Sequence, residues 1–452
     1  MNLASRSRSY GYRSSSDPSP CRVLVSRRVA ASPVAVACMS PATATRVAAE
    51  SGPAEWSTDW LGYSRFDGVL VSDNDVAEMS SQTQNALRQY VECGGALLIA
   101  ADRLPERFRP EDQPASGIAY LGFGVAVAVL RNDTRVEAQT WSHPWQRPLD
   151  ADEVDSAFPV TEGTKIPVRG LSVLMILFAI LIGPVNLVLL SRWKRRIWML
   201  WIIPAVSLLT CAAVFGYSLF SEGWYAHVRS DVVTVLDESE ARATTIGWTG
   251  YYAPLTPGDG LRFDATTELS PEGLVDEYYG YRRGDRGSGS ARTVDLTSGQ
   301  HLAAGWVSAR VPAVFRVRDS QTRRERLTVR YEADGTPVVG NALGGAIKEL
   351  YLADASGRIW RAEGLAEAAE SRLSSTGLKA RGGEGGLRKV YAESWLNQTA
   401  AIAREPAGFL RPGCYVAVME NCPFLTAGLA KTQSRRGQAV VYGIMKRDAH
   451  GG

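Results

Sequence analysis

The stretch "FDGVLVSDNDVAEMSSQTQNALRQYVECGGALLIAAD", residues 66–102, places two short apolar runs on either side of a segment with helical spacing. Residues 66–72 read as a buried strand, and the "SDND" that closes it reads as a turn. A helix fits over about 81–93, because Ala86, Leu87, Tyr90 and Val91 recur on one face and Gly94-Gly95 supplies a left-handed stop. Residues 96–101 form a second strand. Strand, helix and strand within about 35 residues make a βαβ unit, so the two strands are expected to be parallel with a right-handed crossover. Further on, "GIAYLGFGVAVAVL" (117–130) adds strand, with a hairpin around Gly122 to Gly124. An α/β domain is therefore expected over residues 51–140.

What precedes this domain has a different texture. Residues 1–50 carry seven Arg against Asp17 and Glu50 and are rich in Ser and Ala, a composition expected to stay disordered. Within them "VAASPVAVACM" (29–39) comes nearest to a signal-peptide core, but Ser32 and Pro33 interrupt it. After the domain, the Pro- and Trp-rich "TWSHPWQRPLD" (140–150) opens a linker over 141–169.

Two apolar runs follow. Residues 170–191 hold 22 positions and residues 197–221 hold 25, none of them ionisable, and a helix needs roughly 20 to cross about 30 Å of hydrocarbon. Neither run has the polar stripe of a helix in a water-facing fold. The sequence thus predicts a two-helix transmembrane hairpin, kinked at Gly183-Pro184 and at Pro204. The 192–196 loop between the helices carries Arg192, Lys194, Arg195 and Arg196. Short basic loops stay on the cytoplasmic side, so these four residues set the topology. Both large flanks are then expected outside the cytoplasmic (inner) membrane of a multi-pass protein, with the lipid bilayer as a partner.

The run "W..Y..FDGVLVSD.D...M...Q..AL..YV.CGGALLIA", about residues 56–130, resembles the glutamine amidotransferase-like, flavodoxin-type domain of uncharacterised bacterial membrane proteins; "YVECGGALLIA" is its most specific part. The resemblance implies such a domain outside the membrane, then a transmembrane segment with "GPVN" (183–186), a basic turn and a β-rich tail. A working amidotransferase sets a Cys on a strand-to-helix elbow, with a His and a carboxylate to activate it. Here Cys93 ends a helix, no His lies between Trp56 and Leu130, and His143 falls in the linker. Cys93 therefore reads as a structural thiol in a domain lacking the catalytic nucleophile. Asp73, Asn74 and Asp75 lie at the carboxyl end of a strand, where open α/β sheets bind ligands. Their other reading, as turn and helix cap, is the stronger one.

Residues 222–452 alternate apolar and polar positions between Gly, Pro, Asp and Asn turns, which predicts an all-β, sandwich-like domain with its own core. Cys414 and Cys422 lie eight residues apart and can form a disulfide or remain two separate thiols; spacing leaves both open. Asn341 reads as a turn-closing side chain, and the Arg-Gly-Asp at 283–285 as part of a Gly-rich loop. The four His are scattered, so no zinc-like cluster or other cofactor site is expected. A net charge of +3 spread along the chain gives no support for nucleic-acid binding. Together these features describe a multidomain, non-catalytic membrane protein with a scaffold, sensor or binding role toward an extracytoplasmic protein partner. The alternative is an extracytoplasmic hydrolase or carbohydrate-active protein, whose cleft would gather acids such as Asp264, Glu268 and Asp276.

Overall fold

The structure is a computed structural model and describes residues 21–39, 46–52, 55–110, 117–132, 151–161, 168–185, 192, 199–222, 224–272, 292–297, 299–383, 385–388 and 398–446. The amino-terminal part is a six-stranded sheet of β1 (Cys21–Ser26), β2 (Arg46–Ser51), β3 (Gly68–Ser72), β4 (Ala96–Ala100), β5 (Ile118–Leu121) and β6 (Gly124–Val129), in the order β2-β1-β3-β4-β6-β5. Neighbours are parallel except β5, which returns antiparallel on β6. Strands β3 and β4 are buried at every position, as expected where helices cover both faces of a parallel sheet. Helix α3 (Ser81–Glu92) covers one face through Ala86, Leu87, Tyr90 and Val91. Helix α1 (Pro33–Met39) covers the other through Val34 and Ala35. The strand–helix–strand unit forms where its periodicity placed it, and Gly94 takes the left-handed conformation (φ 102°) that ends α3.

The expectation of disorder over residues 1–50 is corrected from Cys21 onward. Strand β1 sits inside the sheet between β2 and β3, with Val23 and Val25 fully buried. The Arg-rich composition misled because Arg22 is the one charge within β1, while Arg27 and Arg28 lie just beyond it, where Arg27 pairs with Glu55 and Arg28 with Glu78. The interrupted apolar stretch contributes α1.

The carboxy-terminal body is built on a nine-stranded sheet. Its order is β10 (Glu268–Glu272), β13 (Ala313–Thr322), β8 (Arg242–Tyr252), β7 (Ala226–Asp237), β21 (Thr432–Ile444), β20 (Cys414–Met419), β16 (Ile347–Ala353), β17 (Arg358–Leu365) and β19 (Ser374–Lys379). Pairing is antiparallel except between β21 and β7. Side chains alternate faces along each strand, so Val232 and Leu236 enter one core cluster while Val233 and Val235 enter another. Two small sheets cover the first face. One comprises β14 (Arg326–Tyr331), β15 (Pro337–Ala342) and β18 (Glu370–Arg372); the other comprises β9 (Leu261–Phe263), β11 (Thr293–Asp295) and β12 (Gln300–Ala304).

The second face is not closed by the body alone. Phe123, from the β5–β6 turn of the α/β module, packs into the cluster of Val233, Ile246, Trp248, Val440 and Tyr442. Helix α4 (Ala151–Ala157) and the residues after it add Val154, Phe158 and Val160, with Phe158 tilted on Trp248 at 5.9 Å. Residues 151–161, read as linker, are core, and residues 222–452 do not own all of their interior.

The two-helix transmembrane hairpin is also corrected. The first apolar run begins as α5 (Val168–Ile180), which ends after 13 residues. That is about 20 Å of helix, short of the hydrocarbon thickness, and a π-helical turn over Leu181–Val185 follows around Pro184. The second run forms α6 (Met199–Glu222) with Pro204 inside it. Among the described residues no helix is long and apolar enough to cross a membrane. Of the four residues expected to set a topology, Arg192 is helical and exposed, while Lys194, Arg195 and Arg196 lie outside the described residues, as does Asn186 of the "GPVN" stretch.

Candidate functional site

In this strand order the chain reverses direction across the sheet between β1 and β3, and open α/β sheets bind ligands at that carboxyl edge. Ser26 and Ser72 end the two strands, and both are buried. Asp73, Asn74 and Asp75 open helix α2 (Asp73–Glu78) here. Ser72 Oγ accepts from the Asp75 amide at 3.1 Å, and Asp75 Oδ2 accepts from the Ser72 amide at 2.9 Å and from its hydroxyl at 2.6 Å. This is a capping box, which satisfies two otherwise unpaired N–H groups reciprocally. Asp73 pairs with Arg131 at 2.9 Å, and Arg28 lies between Glu78 (2.6 Å) and Asp75 (3.4 Å). The acids singled out in the sequence are thus used as turn, cap and ion pairs.

Cys93 lies at the other end of the module, where α3 meets the β body. The last carbonyls of a helix have no partner within it and carry the negative end of its dipole. Two cations from the body answer them. Arg318 of β13 donates from Nη1 to the Cys93 carbonyl at 3.3 Å and from Nη2 to the Ser64 carbonyl at 3.1 Å, and Arg388 donates to the Gly94 carbonyl at 2.7 Å. The Arg318 guanidinium also pairs with Glu268 and lies over the Trp60 ring, 5.8 Å from its centroid. The Cys93 side chain has no exposed surface, and burial pushes its thiol well above the ordinary range. A thiol so placed is a poor nucleophile, because the thiolate is the reactive form.

At the last position of α3, Glu92 accepts from Arg88 at 3.1 Å and from Arg242 of β8 at 3.2 Å, and Arg88 reaches on to Glu240. Burial pushes the Glu92 carboxyl up, against the pull of Arg242 and Arg88. Trp60 Nε1 donates to the Thr266 carbonyl at 2.9 Å, while Thr266 Oγ1 donates to Asp319 Oδ1 at 3.2 Å. Burial first, and then nearby Asp264, raise the Asp319 carboxyl to about 7 against that hydrogen bond. The junction is therefore a continuous set of buried charges joining the module to the body.

The remaining sequence candidates are accounted for individually. Asp264 accepts from Gln321 at 2.9 Å and Glu268 is committed to Arg318, so neither opens into a cleft; Asp276 lies outside the described residues. A small hollow on the body is walled by Pro257, Leu261, Leu302 and Trp306 rather than by acids. Asn341 donates to the Gly345 and Ala366 carbonyls at 2.9 and 3.0 Å and accepts from the Leu343 amide at 3.1 Å, closing its turn. Cys414 and Cys422 lie on opposite faces of the nine-stranded sheet and are not bridged to each other, which corresponds to the reading of two separate thiols. His143 and residues 283–285 lie outside the described residues. Among the described residues no group of His, Cys, Asp and Glu could hold a metal ion.

Arg318, Arg242, Arg88, Trp60 and Asp319 were not candidates from sequence. The signal available was "FRVRD" in β13, where Arg316 and Arg318 share a face that reads as solvated and is in fact covered. No family model matches the chain, and no curated protein matches it.

Proposed function

We propose that this is a non-catalytic binding or scaffold protein, in which an α/β module of amidotransferase-like shape serves as a fixed platform on a β body and presents a combined surface to a protein partner. The placement of Cys93 carries this reading. Its thiol is sealed, and its carbonyl is occupied by Arg318. A nucleophile needs an accessible thiolate with a base beside it, and the neighbour here is a guanidinium committed to backbone. The strand order of the module supports the amidotransferase-like resemblance, and the ion-paired carboxyl edge supports the absence of chemistry there. The hydrolase alternative is weakened because Glu268 and Asp264 are already engaged.

The test is chemical. Folded protein is incubated with the glutamine-mimicking alkylator 6-diazo-5-oxonorleucine and digested, and Cys93 is inspected for an adduct by mass spectrometry, with a denatured sample treated with maleimide to show that the peptide can be detected. The expected result is no adduct at Cys93 in the folded protein. Stoichiometric labelling of Cys93 by the glutamine mimic would restore the catalytic reading.

A further inference from the structure

We propose that Asp319 makes the contact between the α/β module and the β body a pH-sensitive latch, closed while its carboxyl is neutral and loosened when it ionises. The geometry centres on Thr266. Its hydroxyl is spent on Asp319 and its carbonyl on Trp60, so the 264–267 turn is fastened on one side to the body and on the other to the module. Trp60 is fully buried and Asp319 is 2% exposed.

The surroundings of Asp319 do not favour a charge. On the turn, Asp264 repels it and the Thr266 hydroxyl donates to it. At the end of its own strand Arg323 attracts it, but that guanidinium also serves Glu325 at 3.5 Å. Its neighbour Arg318 emerges on the opposite face of the strand and is taken by Glu268 and two carbonyls. Opposite it on β8 stands Thr245, which is uncharged, and across the junction lies the neutral thiol of Cys93. Burial consequently lifts the carboxyl to about 7. As the folded value is raised, the docked state keeps its full stability below the ordinary carboxylate range, about pH 4, and loses it as pH climbs through 7. Ionisation leaves an anion beside Asp264 that needs water. The turn must then yield, and Trp60 loses its acceptor.

Amide hydrogen exchange followed by mass spectrometry reads this directly. Peptides spanning residues 57–66 and 261–270 are compared at about pH 5.5 and about pH 8.5, each rate normalised to the intrinsic rate at that pH. One released proton makes the opening equilibrium grow by up to about tenfold per pH unit between the ordinary carboxylate range near 4 and the docked value of about 7, and level off above it, so both peptides should be markedly less protected at the higher pH. Asp319→Asn should be well protected at both, and Asp264→Asn should lower the midpoint. Should Asp319→Asn fail to fold, Thr266→Val removes the hydroxyl that stabilises the anion while keeping the carbonyl for Trp60, and should raise the midpoint. Equal normalised protection at the two pH values, an Asp319→Asn protein with the parent's pH response, or a Thr266→Val midpoint that does not rise would each overturn the proposal.

Discussion

Arg318 donates to the backbone carbonyl of Cys93 at 3.3 Å, across 225 positions of sequence. The local glycine motif closes α3, with the Gly95 amide donating to the Tyr90 carbonyl and the Gly94 amide to the Val91 carbonyl, and the β body adds Arg318 to the terminal carbonyl of Cys93 that this motif leaves over. The end of α3 and the edge of β13 are therefore each other's missing partner, and neither module buries its polar groups without the other.

Replacing Arg318 by Met removes this cap and leaves Glu268 without its cation. Breaking a buried pair on one side costs about 3–5 kcal/mol, and the Arg318→Met protein should show that loss in urea unfolding. Arg318→Lys should recover little, since a single ammonium cannot reproduce the fork that serves two carbonyls. Parent-like stability of Arg318→Met would mean the junction is held by apolar contact alone.

Gly124 lies where the β5–β6 turn presses on α3. An added Cβ would stand 1.9 Å from the Val91 carbonyl oxygen and 2.4 Å from that of Gly95, both backbone atoms that cannot step aside. Gly124→Ala should cost about 3 kcal/mol by thermal or chemical denaturation. Gly383→Ala, with nothing within 4 Å of the new atom, should be close to neutral.

Asp354 gives the body an acid-sensitive turn. Burial opposes ionisation, but hydrogen bonds from Ser356, Trp360 and the Arg358 amide hold the carboxyl below its ordinary value. With a depressed folded value, the stabilisation is present above about pH 4 and fades as pH falls further. Asp354→Asn should lose about 1–2 kcal/mol at neutral pH, and should show a shallower fall in stability below pH 4 than the parent.

Cys422 should be slow toward alkylation. Burial pushes its thiol up to about 11, so at pH 8 only about one in a thousand is thiolate. Iodoacetamide should modify the exposed Cys211 first, with Cys422 following hundreds of times more slowly by peptide mass spectrometry. Matching rates at the two sites would contradict its half-buried position against Thr234.

The β3–α3–β4 unit was legible because three local signals agreed: apolar strands, helical spacing and a Gly pair at the stop. Strand β1 was hidden by its own Arg22 and by the arginines beyond its end, which make it resemble an unfolded segment by composition. The apolar runs were read by length and lack of charge, which says nothing about where helical hydrogen bonding changes; the Gly183-Pro184 pair expected to kink a helix lies in the π turn after α5. The junction was illegible for another reason. Arg316 and Arg318 alternate with Phe315 and Val317 as surface charges do in any half-buried strand, and nothing local shows that Arg318 is met by the carbonyls of a second module.

The parallel pairing of β21 with β7 governs the order in which the body can be assembled. These strands are neighbours over their whole length, from Ala226 beside Thr432 to Asp237 beside Ile444, though about 200 residues separate them. On a ribosome, β10, β13, β8 and β7 can form one half-sheet and β20, β16, β17 and β19 another, each with an open edge. Only when β21 emerges does a strand arrive that fits both. A chain released before Thr432 would hold two unpaired edges facing each other with nothing between, and such edges are where β-rich intermediates aggregate.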